Sequence, residues 1–158
     1  IGESGKLTVS SISSKFDITK SLSLDTKSRR DKFYIGNVSS LTGNSYFSEY
    51  RIENLDKEII LDSKYGRIEA DHIGKNCEMV NITSGYTDVY LTFDPAMSYS
   101  FDVRSVNSFL VLPRERTDVE KETVNEDRKE YINSGKVGKN QGNLKVVIEA
   151  TRGNIYLK

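Results

Sequence analysis

The stretch Leu61–Ile73, LDSKYGRIEADHI, consists of two short alternating segments pinched around Tyr65-Gly66. Leu61, Ser63, Ile68 and Ala70 fall on one side of the alternation, while Asp62, Lys64, Arg67 and Glu69 fall on the other. A period of two with an apolar side and a charged side is the signature of a half-buried strand. The same sentence recurs along the chain. Taking Ile59 as an anchor, equivalent positions are Leu7, Leu24, Leu41, Val80, Phe101 and Val146, at steps of 17, 17, 18, 21, 21 and 45 residues.

Three further columns keep register with the anchors. Nine residues on lie Phe16, Phe33, Tyr50, Ile68, Val89 and Ile155, with the sixth unit one residue short at Phe109. Two further on lie Ile18, Ile35, Ile52, Ala70, Leu91, Val111 and Leu157. Four after the anchor comes a serine in six units (Ser11, Ser28, Ser45, Ser63, Ser84, Ser105) and Ala150 in the seventh. A unit of two short strands buries little alone, so such units must stack, each strand pairing with its equivalent in the next. The expectation is an all-β, single-domain β-solenoid over residues 1–158, with about seven two-strand rungs in parallel stacking. Rungs cover 7–113 and 143–158. The serines belong at bends, where a small side chain fits and its hydroxyl can bond to backbone. Leu24, Phe33, Ile35, Ile52, Leu61, Ile68, Ile82 and Leu91 are the expected core.

Composition agrees. Ala occurs three times among 158 residues, whereas Ile, Val, Thr, Tyr and Phe supply 50. Strand formers fill the apolar positions. A β-sandwich also has short strands and frequent turns, but it has no reason to hold inward residues in register every 17 residues.

Residues 114–142 break the pattern. Fourteen of these 29 residues are charged, seven of each sign. The segment reads as an irregular charged excursion outside the column and before the last rung; a short helix over Val119–Tyr131 has only a weak apolar stripe.

Several function classes are disfavoured. Lys plus Arg and Asp plus Glu each number 23, so there is no basic excess to displace counterions from nucleic acid. No apolar run reaches the roughly 20 residues of a membrane span. Cys77 is the single cysteine, so no internal disulfide forms, and a lone Cys is ordinarily a small buried hydrophobe. The only histidine is His72, in a column with Asn37 and Asn54. That reads as a corner ladder, not as half of a nucleophile–base pair. No metal or cofactor motif occurs. Glu53, Glu69 and Asp71 map near one another, but the outward column through Glu69 (Asp17, Tyr34, Arg51, Glu69, Tyr90, Leu110, Tyr156) mixes charge with aromatics and is not an acidic cluster. The chain is therefore read as a non-enzyme without cofactor.

One column stands out. Six residues after the anchors come Ser13, Arg30, Phe47, Tyr65, Tyr86, Asn107 and Arg152. Phe47, Tyr65 and Tyr86 belong to consecutive rungs, about 4.8 Å apart in a stack. If the rings face outward, they make a ligand platform beside Arg30, for a glycan or an extended peptide. If they face inward, they only seal the bend. Alternation ends at the corner, so parity does not choose.

The closing stretch GKVGKNQGNLKVVIEATRGNIYLK, with its Gly153-Asn154-Ile155 turn, resembles bacterial adhesin-like families with a β-solenoid fold, including the head GIN domain type of Gram-negative envelope proteins. SKYGRIEADHI and TSGYTDVYLTF resemble the inner rungs of those families, whereas Arg30-Asp31 and Phe47-Ser48 lack the turn glycine. The resemblance implies an exported protein, periplasmic or at the cell surface, that binds or scaffolds, with a glycan or an envelope protein as partner. The alternatives are a polysaccharide-active β-helix using surface carboxylates and a purely structural assembly module. Finally, the chain starts at Ile1, and GKLTV at residues 5–9 begins a rung almost at once. A bare strand edge invites pairing, so the expectation there is upstream sequence, a partner chain or edge-to-edge self-association.

Overall fold

The computed structural model describes residues 1–158. It contains no helix and is 72% strand, arranged as a β-solenoid of about five turns. No helix is long and apolar enough to cross a membrane. The elements are β1 (Glu3–Ile12), β2 (Lys15–Arg29), β3 (Lys32–Tyr46), β4 (Glu49–Lys64), β5 (Arg67–Ile73), β6 (Met79–Gly85), β7 (Asp88–Phe93), β8 (Tyr99–Val106), β9 (Leu110–Val111), β10 (Thr117–Asn125), β11 (Glu130–Val137), β12 (Leu144–Thr151) and β13 (Ile155–Leu157).

Through β7 the coil winds in chain order. Leu7 pairs with Leu24, Leu24 with Leu41, Leu41 with Ile59 and Ile59 with Val80, all in parallel register. On the second face Phe16, Phe33, Tyr50, Ile68 and Val89 follow the same order. The expected core is buried: Leu24, Ile52, Ile68 and Ile82 have no exposed surface, and Phe33, Ile35, Leu61 and Leu91 have almost none. Inside the column Phe16, Phe33 and Tyr50 stack at 5.0 and 4.9 Å between ring centroids, and the Tyr50 hydroxyl finds Thr26 Oγ1 at 2.7 Å. Thus the one polar atom of that stack is satisfied where it is buried.

Beyond β7 the stacking leaves chain order. β8 does not pair with β6. Instead β12 lies between them, with Val146 opposite Val80 on one side and Phe101 on the other. On the second face β13 lies between β7 and β9. The expectation of about seven rungs counted anchors as if each were the next turn of the coil; the last two anchors stack in reverse order.

Two expectations for this end are corrected. The sixth unit is not short: Leu110 is the partner of Ile155, Leu110 and Leu112 pack on the core, and Phe109 and Val111 are exposed. Leu110 keeps the nine-residue spacing from Phe101, and the strand register follows that spacing. Most of residues 114–142 is regular strand, in β10 and β11, and no helix covers Val119–Tyr131. β10 and β11 form an antiparallel hairpin, and β11 continues antiparallel along β8. The edge of β8 offers a row of unpaired backbone groups, and the hairpin satisfies them. Charge is tolerated because β10 is exposed along its length except at half-buried Thr117. Within the hairpin a single charged residue is buried: Glu130 accepts two hydrogen bonds from the Arg104 guanidinium, at 2.6 and 3.1 Å, tying hairpin to column.

Candidate functional site

Every turn passes one corner through a residue in the left-handed region. These residues are Ser13, Arg30, Phe47, Tyr65, Tyr86, Asn107 and Arg152, with φ between 50° and 58°. The conformation suits Gly or Asn, and a bulky side chain there is a genuine outlier. The glycines of the corner serve a different purpose. Gly66 and Gly153 each follow the left-handed residue, and a Cβ there would run into the Ser48 or Thr87 carbonyl oxygen of the adjoining turn. Where this position carries a side chain, that side chain accepts the N–H of its neighbour. Asp31 Oδ1 takes Ser14 N–H at 2.7 Å, Ser48 Oγ takes Asp31 N–H at 3.1 Å, and Thr87 Oγ1 takes Gly66 N–H at 3.2 Å. The missing glycines at Arg30-Asp31 and Phe47-Ser48 are therefore replaced by a second way of closing the same corner.

Behind the corner run Ser45, Ser63 and Ser84, all buried, with no partner for their hydroxyl oxygens. Their bend positions are as expected, but a local backbone bond for these three is not present.

The aromatic column faces out. Phe47, Tyr65 and Tyr86 are 50%, 44% and 47% exposed. Their rings stack at 5.0 and 4.9 Å, within 14° of parallel. Tyr46 leans against Phe47 and Tyr65 at about 6 Å. Since the ring faces meet one another, what the inner rings offer a ligand is their edges and the tyrosine hydroxyls. Ring edges carry the positive part of the quadrupole, so the row favours oxygen atoms over flat apolar faces.

Cations bracket this row. Arg30 belongs to the turn before Phe47. At the other end the neighbour of Tyr86 is Arg152, not Asn107, because β12 is threaded next to β6. Arg152 Nη1 donates to the Tyr86 hydroxyl at 2.5 Å, and its guanidinium carbon lies 5.4 Å from the ring centroid. Lys64 Nζ lies 5.7 Å from the Tyr46 centroid. A groove of about 600 Å³ runs beside the row, with Lys27, Arg29, Tyr46, Phe47 and Lys64 on its walls and Asp62 as its carboxylate. The sequence reading missed Arg152 as a site residue. Its place in the same column was visible, but chain order set Asn107 beside Tyr86.

The other candidates are dispersed. Asn37, Asn54 and His72 do stand in register, and His72 Nε2 is 3.6 Å from Asp94 Oδ2 on an exposed corner. The Asp94 carboxyl is held below its ordinary range, first by the Ala96 N–H it accepts and also by Lys75 and His72. Glu69 pairs with Arg67 at 3.3 Å and Asp71 with Arg51 at 3.8 Å. Opposed charges on a wet sheet are ordinary surface pairs. No group of three or more His, Cys, Asp or Glu side chains is arranged to hold a metal ion.

No family model, curated protein or solved structure matches the chain.

Proposed function

We propose that this protein is a non-enzymatic binding and scaffold module of the bacterial cell envelope, adhesin-like in use, and that its contact surface is the corner row Arg30–Phe47–Tyr65–Tyr86–Arg152. The observation that carries this reading is the exposure of three bulky aromatics at left-handed positions. Strain of that kind costs on the order of 1 kcal/mol per residue. A bend needs only a small or flexible residue, as Ser13 and Asn107 show on the same corner.

The chemistry of the row favours a linear, oxygen-rich and acidic glycan. Counting rungs by anchors, we read the column as about seven rungs, with the row crossing five consecutive levels. At about 4.8 Å per level the two arginines stand roughly 19 Å apart. An extended chain lying along the corner would meet ring edges and hydroxyls in the middle and a guanidinium at each end. Arginine is suited to that task because its planar fork takes a carboxylate by two hydrogen bonds. Export to the periplasm or cell surface rests on the resemblance to adhesin-like families alone. A polysaccharide-cleaving role receives less support, because Glu69 and Asp71 are engaged by arginines on an open sheet.

The test is a screen of the protein against acidic and neutral glycans, repeated with the double variant Tyr65→Ala/Tyr86→Ala. Binding of an acidic glycan that is lost in a still-folded double variant supports the reading. A wild-type protein that retains no glycan, or a double variant that binds as well as wild type, removes it.

A further inference from the structure

We propose that the last strand pair, β12 and β13, is exchangeable, so that two copies of this chain associate by seating the segment Leu144–Leu157 of one in the column of the other. The topology carries the argument. β12 pairs in parallel with β6 over Lys145–Thr151 and with β8 over Leu144–Thr151. β13 is likewise held between β7 and β9. β6 and β8 share no ladder of their own. The segment therefore fills a slot one strand wide on both faces, and its absence would bare an edge on each side of that slot.

What the slot recognises is the segment itself. Val146, Ile148, Ile155 and Leu157 are completely buried and Ala150 nearly so. They alternate with outward residues, so a donor is read by backbone pairing along the strand and by shape at every second residue. This is the logic of strand addition. A segment from a second copy presents the same atoms and makes the same ladders.

The tether permits the exchange. Residues 139–143 are exposed and lead from the hairpin into β12, and Gly138 stands at their start with φ of 99°. Swinging this linker out releases the segment without disturbing β10 and β11. The hairpin also fixes where the segment must return. β11 occupies the outer edge of β8, so a returning strand finds only the inner edge free. An opened molecule then carries a free strand pair and a matching empty slot, the two halves of a domain swap. The rival for the open state is closure of β8 directly onto β6, with Phe101 against Val80 as chain order would place them. That closure leaves no slot to fill.

Full-length chains decide between these. Asn81 and Val147 are outward-facing register partners across β6 and β12. A size-tagged Asn81→Cys chain is mixed with an untagged Val147→Cys chain, incubated at high concentration in mild denaturant, returned to native buffer and oxidised. The control replaces the second partner with Glu149→Cys, which is opposite Thr83. Exchange predicts several-fold more tagged–untagged disulfide for the matched pair than for the control. It also predicts that wild-type protein taken through the same cycle elutes partly as a dimer by light scattering, with an unchanged far-ultraviolet spectrum. Equal yields from matched and mismatched pairs, or wild-type protein that returns wholly as monomer, overturn the proposal.

Discussion

Arg152 and Tyr86 are 66 residues apart in the chain, yet the guanidinium of one donates a hydrogen bond to the hydroxyl of the other at 2.5 Å. The contact exists because the last rung enters the column next to the fifth anchor and not after the sixth. It closes the aromatic row with a second cation. Loss of that cation should weaken ligand binding without unfolding the column. Arg152→Ala is expected to reduce affinity for an acidic glycan by about tenfold, the loss of one charge-assisted contact. The melting temperature should change little, because exposed pairs contribute about 1 kcal/mol or less. Titration of the glycan against both proteins, at low and high salt, checks this.

Ser63 is fully buried, and its hydroxyl has no partner. Removing an unpaired buried hydroxyl relieves a desolvation cost. Ser63→Ala should therefore be neutral or stabilising by about 1 kcal/mol, whereas Ser63→Leu should overpack the corner and cost about 1–3 kcal/mol. Opposite shifts in the urea midpoint are the expected pair of results; a Leu variant as stable as wild type would show that the corner has room to spare.

Gly66 tests the closed corner from the other direction. A Cβ at this position meets the Ser48 carbonyl oxygen, which is backbone and cannot rotate away. Gly66→Ala should cost about 2 kcal/mol or more through local displacement of the adjoining turns. Gly85→Ala is the control, since its Cβ would meet only the flexible Lys64 side chain at 3.5 Å. Thermal melts of the two variants should differ clearly.

The Cys77 thiol is pushed up to about 11 by burial, from an ordinary 9.0. The Tyr50 phenol is also raised, by burial, with the Thr26 hydrogen bond opposing the shift. A raised folded-state value means that the native protein prefers the neutral form. The associated stability is complete below pH 9 and is lost as the pH climbs toward 11, while the unfolded chain ionises first. The loss attributable to Cys77 should be on the order of 1–3 kcal/mol. Denaturant midpoints between pH 8 and 10.5 should fall, and they should fall less steeply in Cys77→Ala. A thiol reagent at pH 8 should label the unfolded protein well ahead of the native one.

Much of this protein is written in its local pattern. Alternation with a period of two, repeated in four columns, is enough to demand stacked parallel strands, because each unit has an apolar side that it cannot bury alone. The buried identities of Phe33, Ile52, Ile68 and Leu91 follow from the same columns. The corner residues were legible as a column too, since their position relative to the anchors is constant.

Three properties were not legible there, and each depends on contacts between distant segments. Whether Phe47, Tyr65 and Tyr86 face outward depends on backbone dihedrals at a bend, where alternation carries no information. Whether the charged stretch 114–142 is strand depends on the open edge of β8 waiting for it, since β10 and β11 have little apolar surface with which to fold alone. The order of the last two rungs depends on which edges are still free. Val80, Phe101 and Val146 are interchangeable by pattern, and any stacking of the three would satisfy the repeat. The hairpin on the outer edge of β8 removes one choice, and the final rung takes the other, setting Arg152 beside Tyr86.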